Sequence, residues 1–190
     1  MRSIKDIFRS YAEFDSEGRH TNGCDKESNH SYGDAYEGMF QEYIGNDKWV
    51  SVRKDIQLMM EIGVADGSSL LAWQEIFPNA HIVGMDIHPA ARWNGEMHIA
   101  NQYYREDCAR VAGNRLFDVI VEDATHRLDH TLLTLYWMWP YVKPGGLYIV
   151  EEWSGVDKER IESLWPFAEI VDTVGPSGGI EPLIVFRKSR

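Results

Sequence analysis

From Gln57 onward the chain alternates short apolar runs with segments of helical spacing, and few architectures other than a parallel sheet wound with helices on both faces satisfy that alternation. The expected strands are Ile56 to Gly63, His81 to Asp86, Met97 to Tyr103, Phe117 to Asp123 and Gly146 to Glu151. Helical spacing covers Ser69 to Phe77, Cys108 to Asn114 and His126 to Tyr141. Two later runs, Ala168 to Val174 and Pro182 to Arg187, are separated by Gly175, Pro176, Ser177, Gly178 and Gly179. That spacing is a hairpin, so the sheet is expected to be mostly parallel and to end in an antiparallel pair. The fold class is α/β and Rossmann-like.

Before this alternation the chain has a different character. An amphipathic opening (Ile4, Ile7, Phe8, Tyr11) and a second periodic piece (Tyr36, Met39, Phe40, Tyr43, Ile44) flank Asp15 to Asp34, which is almost all polar or glycine. This predicts two short helices joined by a long surface loop, a lid in a chain this compact. The organisation is therefore an N-terminal helical and lid segment, residues 1–50, packed on a core of residues 51–190 as one compact domain. At 44% hydrophobic and 26% charged, 190 residues can bury such a core without metal or disulfide staples. Cys24 and Cys108 form no motif and read as free thiols.

Charge and hydropathy exclude several classes. Nineteen Lys and Arg against thirty Asp and Glu give a net charge of −11 with no basic cluster, a poor footprint for nucleic acid. The most apolar stretch, Leu132 to Val142, is interrupted by Thr134 and Pro140 and falls short of the ~20 residues that span a bilayer. The opening MRSIKDIFRS has no continuous apolar segment, so a cytoplasmic location is expected. The sequence leaves a homo-oligomer open.

The first expected strand runs into Glu61-Ile62-Gly63-Val64-Ala65-Asp66-Gly67-Ser68-Ser69 and then a helix. Without side chains at Gly63 and Gly67, a ligand can approach the backbone and the N–H groups of the helix start. The arrangement is G-x-x-x-G-x-S rather than the dinucleotide G-x-G-x-x-G, which favours an adenosyl ligand without pyrophosphate. Glu61, Gly63, Asp66, Gly67 and Ser69 are the candidate contacts. Nineteen positions after Gly67, Asp86 closes the second strand, where an acid reads the hydroxyls of a ribose. Asp107 is the candidate acceptor for an adenine amino group, with an ordinary helix cap as the plain alternative.

Glu122-Asp123-Ala124-Thr125-His126 follow the fourth strand and Glu151-Glu152 the fifth, so four carboxylates and a histidine are expected to converge at one sheet edge. Hard oxygen ligands of this kind select magnesium, manganese or calcium rather than zinc, and magnesium is the economical choice. Strand-end acids capping the next helix are the structural alternative. His130 follows His126 by four, the spacing of one helical face, but Arg127 stands where a zinc protease needs its Glu. Leu132, Leu135, Tyr136 and Trp139 read as helix core, and Pro144-Gly145-Gly146 as a turn.

EIGVADGSSLLAW followed by FPNAHIVGMDIHP resembles the opening of class I S-adenosylmethionine-dependent methyltransferases, in which the sheet also ends antiparallel. The chain is most similar to the metal-dependent sugar and macrolide O-methyltransferases of the mycinamicin and rhamnosyl type, a group that includes proteins labelled cephalosporin hydroxylase. CDKESNHSYGDAYEGMF resembles that family's T-D-K…H-x-Y…Y-E-x-x-F segment, and Glu122 to His126 with Glu151-Glu152 resembles its D-D-G-S-H…E-D pattern. The departures are Glu122, Ala124-Thr125 and Glu152. The resemblance implies S-adenosylmethionine as cofactor, Mg2+ or another hard cation held by Asp123, Glu151 and Glu152, His126 as general base acting with Asp123, and His30 and Tyr32 near the cofactor. It implies O-methylation of a small-molecule hydroxyl in natural product biosynthesis. The rival readings are cofactor degradation, protein methylation and a non-catalytic nucleotide-binding module; no N-P-P-Y, D-P-P-Y or P-C motif of a nucleic-acid methyltransferase is present.

Overall fold

The computed structural model describes residues 2–43, 49–152, 163, 165–176 and 178–190; Ile44 and Ser177, named above, lie outside them. The N-terminal part contains α1 (Ile4–Ser10), β1 (Ala12–Phe14), β2 (His20–Gly23), α2 (Gly33–Met39) and the pair β3 (Gln41–Tyr43) and β4 (Trp49–Ser51). The wound part follows as β5 (Leu58–Ile62), α3 (Ser68–Ile76), β6 (His81–Asp86), β7 (Glu96–Ile99), α4 (Arg105–Ala112), β8 (Phe117–Glu122), α5 (Leu128–Met138), β9 (Val142–Val150), β10 (Ala168–Val171) and β11 (Leu183–Arg187).

Seven strands form one sheet in the order β10-β11-β9-β8-β5-β6-β7. Strands β7, β6, β5, β8 and β9 are parallel neighbours, and β11 runs antiparallel to both β9 and β10. The hairpin expected at the end of the chain is present, but its last strand is inserted between β9 and β10 instead of lying at the rim. This is the Rossmann-like methyltransferase fold. Strand side chains alternate between two faces: Met59, Val119, Val121 and Ile149 pack toward the layer of α1, α2 and α3, while Met60, Ile120, Tyr148 and Val150 pack toward α4 and α5.

The polar segment Asp15 to Asp34 departs from a surface loop. It forms β2, paired to β1, and then buries Cys24, Lys26 and Tyr32 at 2%, 1% and 0% exposure against the core. Phe8, Tyr36, Phe40, Trp73 and Phe77 form a chain of edge-on and stacked rings joining α1 and α2 to α3. The helix expected from His126 begins only at Leu128, because His126 sits in left-handed backbone at φ 54°. The imidazoles of His126 and His130 therefore do not share a helical face. The third parallel strand ends at Ile99, which frees Asn101, Gln102 and Tyr103 as loop. Both thiols are buried and unpaired.

Glu96, at the start of β7, collects His81 and His98 at 2.6 Å each and Arg115 at 2.8 Å. Burial pushes its carboxyl upward, but these three donors outweigh burial and hold it at about 2. Because the folded pKa is depressed, the stability it confers is complete above the unfolded value of roughly 4.3 and is lost as pH falls through about 2. Chemical denaturation of Glu96→Gln is therefore expected to show a deficit of roughly 1–2 kcal/mol at pH 6, discounted for solvent screening, that closes on acidification. A deficit independent of pH contradicts the assignment.

Candidate active site

A cleft of about 630 Å³ opens at the C-terminal edge of the parallel strands, lined by the loop after β5, the ends of β6 and β8, and Glu152 after β9. Its shape begins with Gly63 at φ 85°: a Cβ there would lie 2.3 Å from the Asp123 carbonyl oxygen, so only glycine lets the two strand-end loops pass this closely. Gly67 caps α3 at φ 90°, and a Cβ would meet Trp93 and Ala90 at 2.9 and 3.0 Å. Asp86 shapes the same loop: its Oδ2 accepts from the N–H groups of Val64 and Ala65 at 2.9 and 3.2 Å, and its Oδ1 from His88 N at 2.9 Å.

Of the candidate ligand contacts, Gly63, Asp66, Ser69 and Asp86 line the cleft, together with Asp123, His126 and Glu152. Gly67 acts behind it, through the turn. Glu61 is fully buried; its carboxylate accepts from Ser69 Oγ at 2.6 Å and Trp73 Nε1 at 3.1 Å. Asp107 is not in the wall, because its oxygens are taken by Asn101 N at 2.9 Å and Arg110 at 2.6 Å. Asn101 and Gln102 line the cleft in its stead. A terminal amide there was not distinguishable in sequence from any other loop polar residue. His30 and Tyr32 lie behind the wall against Glu152, whose N–H donates to Tyr32 Oη at 3.1 Å.

The four carboxylates do not all converge, because adjacent residues on a strand face opposite ways. Glu122 turns to the α4–α5 layer, where it accepts from Gln102 Nε2 at 2.9 Å. Glu151 turns to the other layer, 2% exposed, and accepts from Tyr36 Oη and from Lys26. Lys26 is the residue that the sequence reading missed. Its ammonium reaches Glu61 Oε1 at 2.9 Å, Asp123 Oδ2 at 2.8 Å and Glu151 Oε2 at 2.6 Å, one carboxylate from each of three strand ends. Burial pushes the Lys26 pKa down, but Asp123, Glu151 and Glu61 together hold it well above the usual lysine range. Burial likewise pushes Glu151 well up.

Asp123 and Glu152 keep the cleft side. His126 Nε2 is 3.3 Å from Asp123 Oδ1 and its Nδ1 is 2.9 Å from Glu152 Oε2. These two carboxylates raise His126 to about 10 despite partial burial, so in this arrangement the ring is an imidazolium. Both His126 and Glu152 occupy left-handed backbone, φ 54° and 48°, a conformation costing of order 1–3 kcal/mol per residue that aims the two side chains at each other. His130 also lines the cleft, 3.1 Å from Thr125 Oγ1 and edge-on to Tyr103. As a cation site the donors fit: Asp123, His126 and Glu152 each offer a ligand atom, all within 4.8 Å of one another. Glu151, one of the three ligands implied by the family pattern, faces Lys26 in this arrangement and is not part of that group.

The sheet order is that of the class I methyltransferase fold, and by sequence the chain is related to the macrolide and sugar O-methyltransferases. It is 30% identical over 139 residues to the L-olivosyl-oleandolide 3-O-methyltransferase of Streptomyces antibioticus, covering 67% of this chain and 33% of that one. It is 31% identical over 143 residues to the 8-demethyl-8-alpha-L-rhamnosyl tetracenomycin-C 2'-O-methyltransferase of Streptomyces olivaceus, covering 68% and 35%. In structure it is similar to the MycE methyltransferase of the mycinamycin biosynthetic pathway in complex with Mg and SAH, with a TM-score of 0.71, 21% identity, and 99% of this chain on 55% of that one. The chain thus spans about a third of the length of these curated relatives. No family model matches it. No helix among the described residues is long and apolar enough to cross a membrane.

Proposed function

We propose that the chain binds S-adenosylmethionine in the cleft and methylates a hydroxyl of a sugar or other diol on a small natural product, with a hard divalent cation at Asp123 and Glu152. The observation that carries this reading is the single cleft in which the Gly63 loop and Asp86 meet Asp123, His126 and Glu152. The relatives named for sugar methylation and the Mg in the MycE complex support it.

The cofactor supplies an electrophilic sulfonium methyl when bound. The glycine loop leaves room for it beside the backbone, Asp86 offers the lone pair left on Oδ1 to a ribose hydroxyl, and Asn101 and Gln102 offer amide groups where an adenine edge would lie. Asp123 and Glu152 would hold the cation, whose positive charge would acidify a neighbouring acceptor hydroxyl and weaken the carboxylates' hold on the His126 proton. His126, once neutral, takes the hydroxyl proton, with Asp123 and Glu152 fixing its ring. Cys24 and Asp25 form the N-terminal wall of the same cleft, and the segment they belong to orients the acceptor and limits water.

Calorimetric titration with S-adenosylhomocysteine tests the donor half. Binding in the micromolar range is expected, roughly tenfold or more weaker in Asp86→Ala. Because Asp86 also bonds the Val64 and Ala65 N–H groups, the variant's thermal melt is compared alongside. Tighter binding of NAD than of S-adenosylhomocysteine contradicts the reading.

A further inference from the structure

We propose that Asp25, His30 and Glu152 form a second cation site, joined to the Asp123–His126–Glu152 group by the shared Glu152 carboxylate and suited to a first-row transition ion such as Mn2+. It goes beyond the methyl-transfer reading and does not depend on it. Each of the three residues offers one ligand atom, and the three atoms lie within 4.8 Å of one another.

The two oxygens of Glu152 serve different histidines. Oε2 is 2.9 Å from His126 Nδ1, and Oε1 is 2.6 Å from His30 Nε2, which in turn lies 3.6 Å from Asp25 Oδ2. A carboxylate addressed from both oxygens in this way is the arrangement that bridges two ions. The far nitrogen of His30, Nδ1, is 2.5 Å from Glu181 Oε2. Ligating imidazoles characteristically carry such a carboxylate on the second nitrogen, where it fixes the tautomer and strengthens the ring as a donor. The ring is further held by stacking on Tyr32, centroids 5.2 Å apart at 19°, and the His30 carbonyl accepts from Thr173 Oγ1 at 3.2 Å.

Charge points the same way. Asp25, Asp123, Glu152 and Glu181 bring four carboxylates to two imidazoles. Lys26, whose ammonium touches Asp123, is directed to the Glu61 and Glu151 side. Protons on the two rings neutralise part of that charge, and a divalent ion neutralises more. The imidazole in the donor set disfavours magnesium, which prefers oxygen throughout, and suits a first-row transition ion, of which manganese is the one that also matches the two carboxylates. Asp25 and Glu152 line the cleft, so an ion can enter from solvent.

Titration of the whole chain with Mn2+, counting free ion by electron paramagnetic resonance, tests the site. Two bound ions per chain are expected for the wild type, with the attenuated signal of a coupled pair. Asp25→Asn and His30→Ala are each expected to bind one, and Asp123→Asn one. Asp25→Asn is isosteric at a side chain 40% exposed, so it keeps the test valid should His30→Ala unfold. A single ion lost in Asp25→Asn and kept in Asp123→Asn upholds this site and overturns the cation assigned to Asp123. No ion, or a stoichiometry that Asp25→Asn and His30→Ala leave unchanged, overturns the second site.

Discussion

Replacing Lys26 by Met is expected to destabilise the protein by about 3–5 kcal/mol, the scale of removing one partner from a buried ion cluster. The variant leaves Glu61, Asp123 and Glu151 within reach of one vacated position, with no ammonium among them. Burial already pushes Glu61 and Glu151 upward, so without Lys26 they take up protons more readily. The sign follows: the deficit relative to wild type is larger at pH 8 than at pH 5, where protonation removes part of the repulsion. Denaturant unfolding at the two pH values measures it, and Glu151→Gln in the Lys26→Met background is expected to recover part of the loss. A deficit under about 1 kcal/mol means the ammonium is not holding the three strand ends together.

The second large effect concerns turnover. His126→Ala is expected to lower it by about 10²- to 10⁴-fold, the usual contribution of a general base, with S-adenosylhomocysteine affinity nearly unchanged. The separation follows from position: His126 faces Asp123 and Glu152, whereas the donor half of the cleft is built by the Gly63 loop and Asp86. Measuring turnover on a rhamnosylated acceptor and binding by calorimetry distinguishes the roles. Loss of cofactor affinity in proportion to rate makes His126 a structural support; full activity moves the base elsewhere, His130 being a candidate in the same wall.

The parts of this molecule that follow from short-range pattern were legible in the sequence. His81–Asp86 is a strand with the bounds its apolar run predicts, and Gly63, Gly67 and Asp86 stand where the turn chemistry requires. What escaped depends on contacts between distant residues. Lys26 sits in a polar stretch indistinguishable from a solvated loop until three carboxylates, 35 to 125 positions away, meet it. The pairing of Glu122 with Gln102 and of Glu151 with Lys26 was in principle readable, since strand parity sends Glu61 and Glu122 to opposite faces. Grouping the acids by strand end alone concealed it. The left-handed backbone of His126 carries no local signal, as neither glycine nor asparagine occupies the position, and it is this backbone that delays α5 to Leu128. The place of Asp107 after a strand suggests a ligand contact, but the strand's early end at Ile99 puts Asn101 and Gln102, not Asp107, in the cleft wall.

The most direct measurement is a crystal structure of the chain grown with S-adenosylhomocysteine and Mn2+, the ions located by anomalous scattering. The adenosyl group is expected along Gly63 to Ser69 with its ribose on Asp86, and a manganese peak within bonding distance of Asp123 and Glu152. An adenosyl ligand outside this cleft, for example in the aromatic cavity of about 680 Å³ between Tyr136, Trp139 and Phe186, with no metal at Asp123, contradicts it.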